Sequence, residues 1–87
     1  MQLLYINADF DENGLESKIY ESIEFFVEDR IGIGYTLSEL RELAKEPDEN
    51  PDEAFVLDLL LSGSHEGEWS NEEVWIIKDG KLFQGLE

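Results

Sequence analysis

Val74-Trp75-Ile76-Ile77-Lys78-Asp79-Gly80-Lys81-Leu82-Phe83-Gln84 is the stretch on which the fold turns. Asp-Gly set between two strand-like runs is among the strongest short-range hairpin signals. Val74–Lys78 and Lys81–Gln84 are therefore expected to pair antiparallel. At the other end of the chain, Leu3, Leu4, Tyr5 and Ile6 between polar ends read as a short strand over residues 2–8. That strand must pair with something, and the C-terminal hairpin is its one candidate.

Between these strands the sequence reads as helical. Asp11-Glu12-Asn13-Gly14 is turn chemistry, because Asn and Gly tolerate positive φ. A helix is then expected over 15–29, with Leu15, Ile19, Ile23 and Phe26 on one side and Glu21, Glu24 and Glu28 opposite. Phe25 falls nearer the acidic side. Gly32 and Gly34 end that helix. Thr36-Leu37-Ser38-Glu39 matches a capping box and starts a second helix, over about 37–46, that buries Leu37, Leu40, Leu43 and Ala44. Pro47 stops it. Asn50 as cap and Pro51 at the first helical position open a third, over 51–61, and Gly63 closes it. This helix is apolar almost all round, so it is either central to the core or half of an interface, and both monomer and homodimer stay open. Residues 62–73 read as an exposed acidic loop. The expected fold is a single α+β domain spanning 1–87. A small antiparallel sheet (N-terminal strand plus C-terminal hairpin) packs against about three helices in the order β-α-α-α-β-β.

Charge is the functional signal. Twenty-two acidic residues against six basic ones give a net charge of −16 in 87 residues, where solubility alone asks for a magnitude of roughly 2–8. With 41% hydrophobic and 11% aromatic residues, the chain is too apolar for an acidic disordered tail. It has no cysteine, which excludes disulfides and thiolate chemistry. No run of about 20 apolar residues is present to span a bilayer, and the N-terminus lacks the basic start of a signal peptide. The expectation is a soluble, cytoplasmic protein with no cofactor, repelled by anionic membranes and by bare nucleic acid.

Two constellations invite a chemical reading. Asp9-Phe10-Asp11-Glu12-Asn13-Gly14 matches the first half of an EF-hand calcium loop. The bidentate Glu expected at loop position 12 is Tyr20, with Glu21 one residue late. Asp9, Asp11, Asn13 and Glu21 are thus a calcium set by a weak match, against the plainer reading of an acidic strand-to-helix turn. His65 is the one histidine, and it stands without a nucleophile motif or a phosphate-binding glycine loop. No enzyme is expected.

The acids fall in three segments with little basic relief: Glu21, Glu24 and Glu28; Asp48, Glu49, Asp52 and Glu53; and Glu66, Glu68, Glu72 and Glu73. Phe25 and Trp69 lie beside them as apolar anchors, since interface hot spots favour aromatics ringed by polar residues. Carboxylates on a rigid surface imitate duplex phosphates, spaced one per ~1.7 Å of helix axis. In size and charge the chain is similar to the small DNA mimics that phages deploy against host defence, anti-CRISPR and anti-restriction proteins among them. That resemblance covers bulk properties and carries no residue roles. It implies an inhibitor that occludes the basic surface of a nucleic-acid-binding protein. An immunity protein or antitoxin against a basic nuclease, a calcium-responsive module, and a salt-adapted halophile domain are the alternatives.

Overall fold

The C-terminal hairpin forms, and its first strand is the spine of the sheet. In the computed structural model, which describes residues 1–9 and 14–86, β4 (Ser70–Lys78) turns at Asp79-Gly80 into β5 (Lys81–Gln84). Both turn residues have positive φ, +54° and +74°, as a type I′ turn requires. On its other edge β4 pairs antiparallel with β1 (Gln2–Asp9) along the whole strand, from Gln2 opposite Ile77 to Asp9 opposite Ser70.

Two segments depart from the sequence reading. Residues 15–20 are not helical. They form β2 (Leu15–Tyr20), which returns along the free edge of β1, with Ala8 opposite Leu15 and Leu3 opposite Tyr20. The ambiguity lies in the spacing. Leu15 and Ile19 are four residues apart, a separation that places two side chains on one face of a helix and equally on one face of a strand. The turn at Gly14 (φ +69°) decides between them, closed by the Asp9 amide donating to the Gly14 carbonyl at 2.8 Å. The helix starts only after Ser22, whose hydroxyl accepts from the Phe25 amide, and α1 is Ile23–Arg30.

The second departure is the expected loop at 62–73. It contains β3 (Ser64–Glu66) and the first half of β4, with His65 opposite Glu72 and Ile6 opposite Glu73. These residues have little strand propensity, but β1 is long enough to offer them a complete ladder. The sheet order is β2-β1-β4-β3, and β5 pairs with the rest of β4's outer edge beyond β3. The element order is therefore ββαααβββ, with the helices in the middle of the chain.

The two later helices follow the sequence closely. α2 is Leu37–Leu43, with the Thr36 hydroxyl accepting from the Glu39 amide at 3.1 Å. α3 is Pro51–Ser62, ended by Gly63 in the left-handed region (φ +82°). Asn50 stands at the N-cap of α3, but its side chain makes no capping bond there. Its amide donates instead to the carbonyls of Leu43 and Glu46, closing the end of α2.

All three helices lie on one face of the sheet. Leu3, Tyr20, Val74 and Ile76 meet Ile23, Phe26 and Val27 of α1, Leu40 of α2, and Val56, Leu57, Leu59 and Leu60 of α3. The apolar residues of α3 are thereby consumed in one core within the chain. With extents of 34 × 34 × 22 Å, the molecule is two layers thick, and among the described residues nothing covers the opposite sheet face.

Candidate functional site

The helical phase of α1 places Ile23, Phe26 and Val27 in the core, which turns Glu24, Phe25, Glu28 and Asp29 outward. Phe25 is 56% exposed, an aromatic standing free among carboxylates. The Pro51 start of α3 sets Asp52 and Glu53 in the first turn, where the helix dipole favours negative charge. The C-terminal end of α1 and the N-terminal end of α3 meet across a groove of about 440 Å³ lined by Asp29, Arg30, Asp52, Glu53 and Phe55. Asp29 also walls a second depression of about 300 Å³ with Lys18, Tyr20, Phe25 and Glu28. One side of the helix layer thus gathers acids from α1 and α3 around two aromatic rings.

Hydrogen bonds fix the wall between the two depressions. The Tyr20 hydroxyl donates to Asp29 Oδ2 at 2.6 Å, and Lys18 Nζ stands 3.5 Å from the same oxygen. The Tyr20 hydroxyl and, after it, the Lys18 charge hold the Asp29 carboxyl below the usual carboxylate range. In return Tyr20 is pushed up to about 12, first by burial and then by its bond to Asp29. A phenol whose folded value is raised contributes its full stabilisation below the ordinary value and loses it as pH rises through the folded one. Stability should therefore hold up to about pH 10 and decline toward pH 12. Thermal melts of Tyr20→Phe should show a shallower decline over that window, and an unaltered slope would exclude Tyr20 as its source.

Beneath the groove lies a polar knot. Arg30 Nη1 donates to Glu72 Oε1 at 2.8 Å, and the Tyr5 hydroxyl donates to the same oxygen. The guanidinium lies over the rings of Tyr5 and Phe55, at 5.7 and 5.9 Å. His65 meets the Phe55 ring edge to face at 4.8 Å and is half-buried.

The acids expected at a binding surface separate into distinct places. Glu24, Phe25, Glu28, Asp52 and Glu53 converge on the helix layer, with Asp48 and Glu49 exposed in the turn before α3. Glu21, Glu66 and Glu73 belong to the opposite, uncovered face of the sheet by strand alternation. Glu68 and Trp69 are in the β3–β4 connection, where Trp69 is 71% exposed and does not fold back on the core. Glu72 is turned inward and only 8% exposed, so it is no part of the outer surface. Asp29, Glu16 and Phe55 join the surface without having been singled out. Asp29 could have been found, since it follows Glu28 and is one turn beyond Phe25 on the same helix.

Of the calcium set, Asp9 and Glu21 fall among the described residues, and they stand apart. Asp9 and Glu21 sit at opposite ends of the β1–β2 hairpin, where Glu21 accepts from Gln2 Nε2 at 3.4 Å. Asp11 and Asn13 lie outside the described residues. Among the described residues no group of three His, Cys, Asp or Glu is arranged to hold a metal ion. No protein-family model, curated protein or solved structure matches this chain.

Proposed function

We propose that this chain is a protein-binding module whose acidic helix layer occludes the basic nucleic-acid-binding surface of a partner, as a mimic of DNA or RNA. The observation that carries the reading is the contrast between paired and unpaired charge. Lys18, Arg30 and Lys45, three of the six cations, are tied to Asp29, Glu72 and Glu42. Glu24, Glu28, Asp52 and Glu53 have no ion-pair partner among the described residues, yet they are held on packed helices around an exposed Phe25. Fixed carboxylates of one sign steer a basic partner by long-range attraction, and an exposed aromatic supplies the desolvated contact that charge alone lacks.

The test is competition. The immobilised chain captures basic proteins from a bacterial lysate, with a charge-matched acidic protein as control, and the selectively retained protein is tested for loss of its DNA or RNA when the chain is added. The quadruple variant Glu24→Gln, Glu28→Lys, Asp52→Asn, Glu53→Gln should weaken that competition by ~100-fold or more at physiological salt. Its circular dichroism should stay unchanged, because these substitutions leave the core alone. Retention of nothing beyond what the control holds would overturn the reading. The cognate-nuclease alternative uses the same surface and differs in which protein is retained.

A further inference from the structure

The uncovered face of the sheet is as unusual for this chain as its charge. By alternation from the core residues, it carries Leu4, Ile6 and Ala8 of β1, Leu15 and Ile19 of β2, Trp75 and Ile77 of β4, and Leu82 of β5. The strand pairing sets these side chains against one another: Leu4 is opposite both Ile19 and Trp75, Ala8 opposite Leu15, and Ile77 opposite Leu82. Leu15, Ile19 and Leu82 are 72%, 57% and 55% exposed. A one-sided sheet in water ordinarily alternates apolar inward and polar outward. Here the open face sets those apolar residues beside Gln2, Ser17, Asn71 and Gln84, and no described Lys or Arg projects from it. Of its acids, Glu21 stands at one end and Glu66 on the edge strand β3, while Glu73 lies within the face, on β4 between Ile6 and Ser64.

From this arrangement we infer that the chain forms a homodimer by packing the open sheet faces of two copies back to back. Size supports a second copy as the occupant. The broad side of a 34 × 34 × 22 Å molecule has an outline of about 900 Å², room enough for the ~800 Å² per partner that stable complexes bury. Shape supports it as well, since two twisted sheets pack face to face about 10 Å apart. The placement of charge removes the main objection. Glu24, Glu28, Asp52 and Glu53 belong to the helix layer, so back-to-back packing puts the two acidic layers on the outside, separated by both sheets. A continuous apolar patch bordered by polar groups is also the usual anatomy of an interface. Each dimer would then present the acidic helix layer twice, in opposite directions.

Residual repulsion between two chains of −16 predicts the salt response. Association should strengthen as salt rises from low ionic strength to about 0.5 M, because screening removes the repulsion and leaves the apolar contact intact. Sedimentation equilibrium of the full chain should give twice the 10.0 kDa chain mass at high salt, with a fraction of single chains growing as salt is lowered. In a Trp69→Phe background Trp75 is the only tryptophan, and its emission should shift to the blue with the same concentration and salt dependence. Ile19→Glu should weaken association by at least ~10-fold by placing a charge in the contact. Ile33→Glu makes the same change at an 82% exposed residue of the α1–α2 connection and should leave association intact. A single-chain mass at every salt concentration would overturn the inference. So would a dimer that resists Ile19→Glu, or equal losses from Ile19→Glu and Ile33→Glu.

Discussion

Arg30→Met should lower the unfolding free energy by about 3 kcal/mol in urea denaturation, a large share of the 5–15 kcal/mol that native domains possess. Glu72 is 8% exposed, and its carboxylate is held by Arg30 and Tyr5 together. Methionine keeps the apolar stem that lies against Tyr5 and Phe55 but removes the guanidinium. The carboxylate then remains largely out of water with one hydroxyl donor, and an uncompensated buried charge is what makes breaking such pairs costly. The pairing also sets tertiary geometry, because it joins the last turn of α1 to β4 across 42 residues of sequence. Adding Glu72→Leu to Arg30→Met should restore most of the loss, since an apolar pair of similar size often replaces a buried ion pair at no net cost. A loss below about 0.5 kcal/mol in the single variant, the range of ordinary surface substitutions, would show that water reaches Glu72.

The same pair explains what could not be read from the sequence. Ser70–Glu73 has a polar composition that points to a loop, and Glu72 is tolerable inside only because Arg30 and Tyr5 arrive from other elements. Strand pairing satisfies backbone groups whatever the side chains are, so a long β1 recruited residues that propensity alone excluded. Elements with explicit punctuation were legible: Asp79-Gly80 for the hairpin, Thr36 and Glu39 for α2, Pro51 and Gly63 for α3. β2 lacked such a mark, because Leu15 and Ile19 satisfy a helix and a strand equally well. The outward direction of Glu24, Phe25 and Glu28 was legible even so. Their phase relative to Ile23, Phe26 and Val27 is the same whether the helix starts at residue 15 or at residue 23. The groove joining α1 to the first turn of α3 was not, since it depends on where two separate helices land on one sheet. Nor was the separation of Glu21, Glu66 and Glu73 onto the opposite face, which follows from the strand register.

Gly85→Ala should be more disruptive still, by about 4 kcal/mol, because strain and collision act at one atom. Gly85 has a φ of +75°, and a methyl built there would stand 2.5 Å from the Leu61 carbonyl oxygen and 2.8 Å from the Gly63 nitrogen. Both obstacles are backbone, so no side chain can turn aside to make room. The crowding arises because the chain beyond β5 is strapped across the end of α3. The Gly85 amide donates to Val74 at 3.0 Å, the Leu86 amide to Leu60 at 2.8 Å, and the Val74 amide to the Gly63 carbonyl at 2.9 Å. Gly63 faces Gly85 from the other side, and a methyl there would meet the Gly85 nitrogen at 2.6 Å. Two glycines in contact let the C-cap of α3, the middle of β4 and the C-terminal segment share one junction. Gly80→Ala isolates the strain component, since Gly80 has nearly the same φ, +74°, with nothing within 4 Å of the added carbon. That variant should lose about 1 kcal/mol, the usual cost of a non-glycine residue in this region. Equal losses at the two positions would mean that the junction yields and that α3 is not clamped by the C-terminal segment. A loss several-fold larger at Gly85, with faster exchange of the Leu86 amide, would identify the strap as a structural tie between helix layer and sheet.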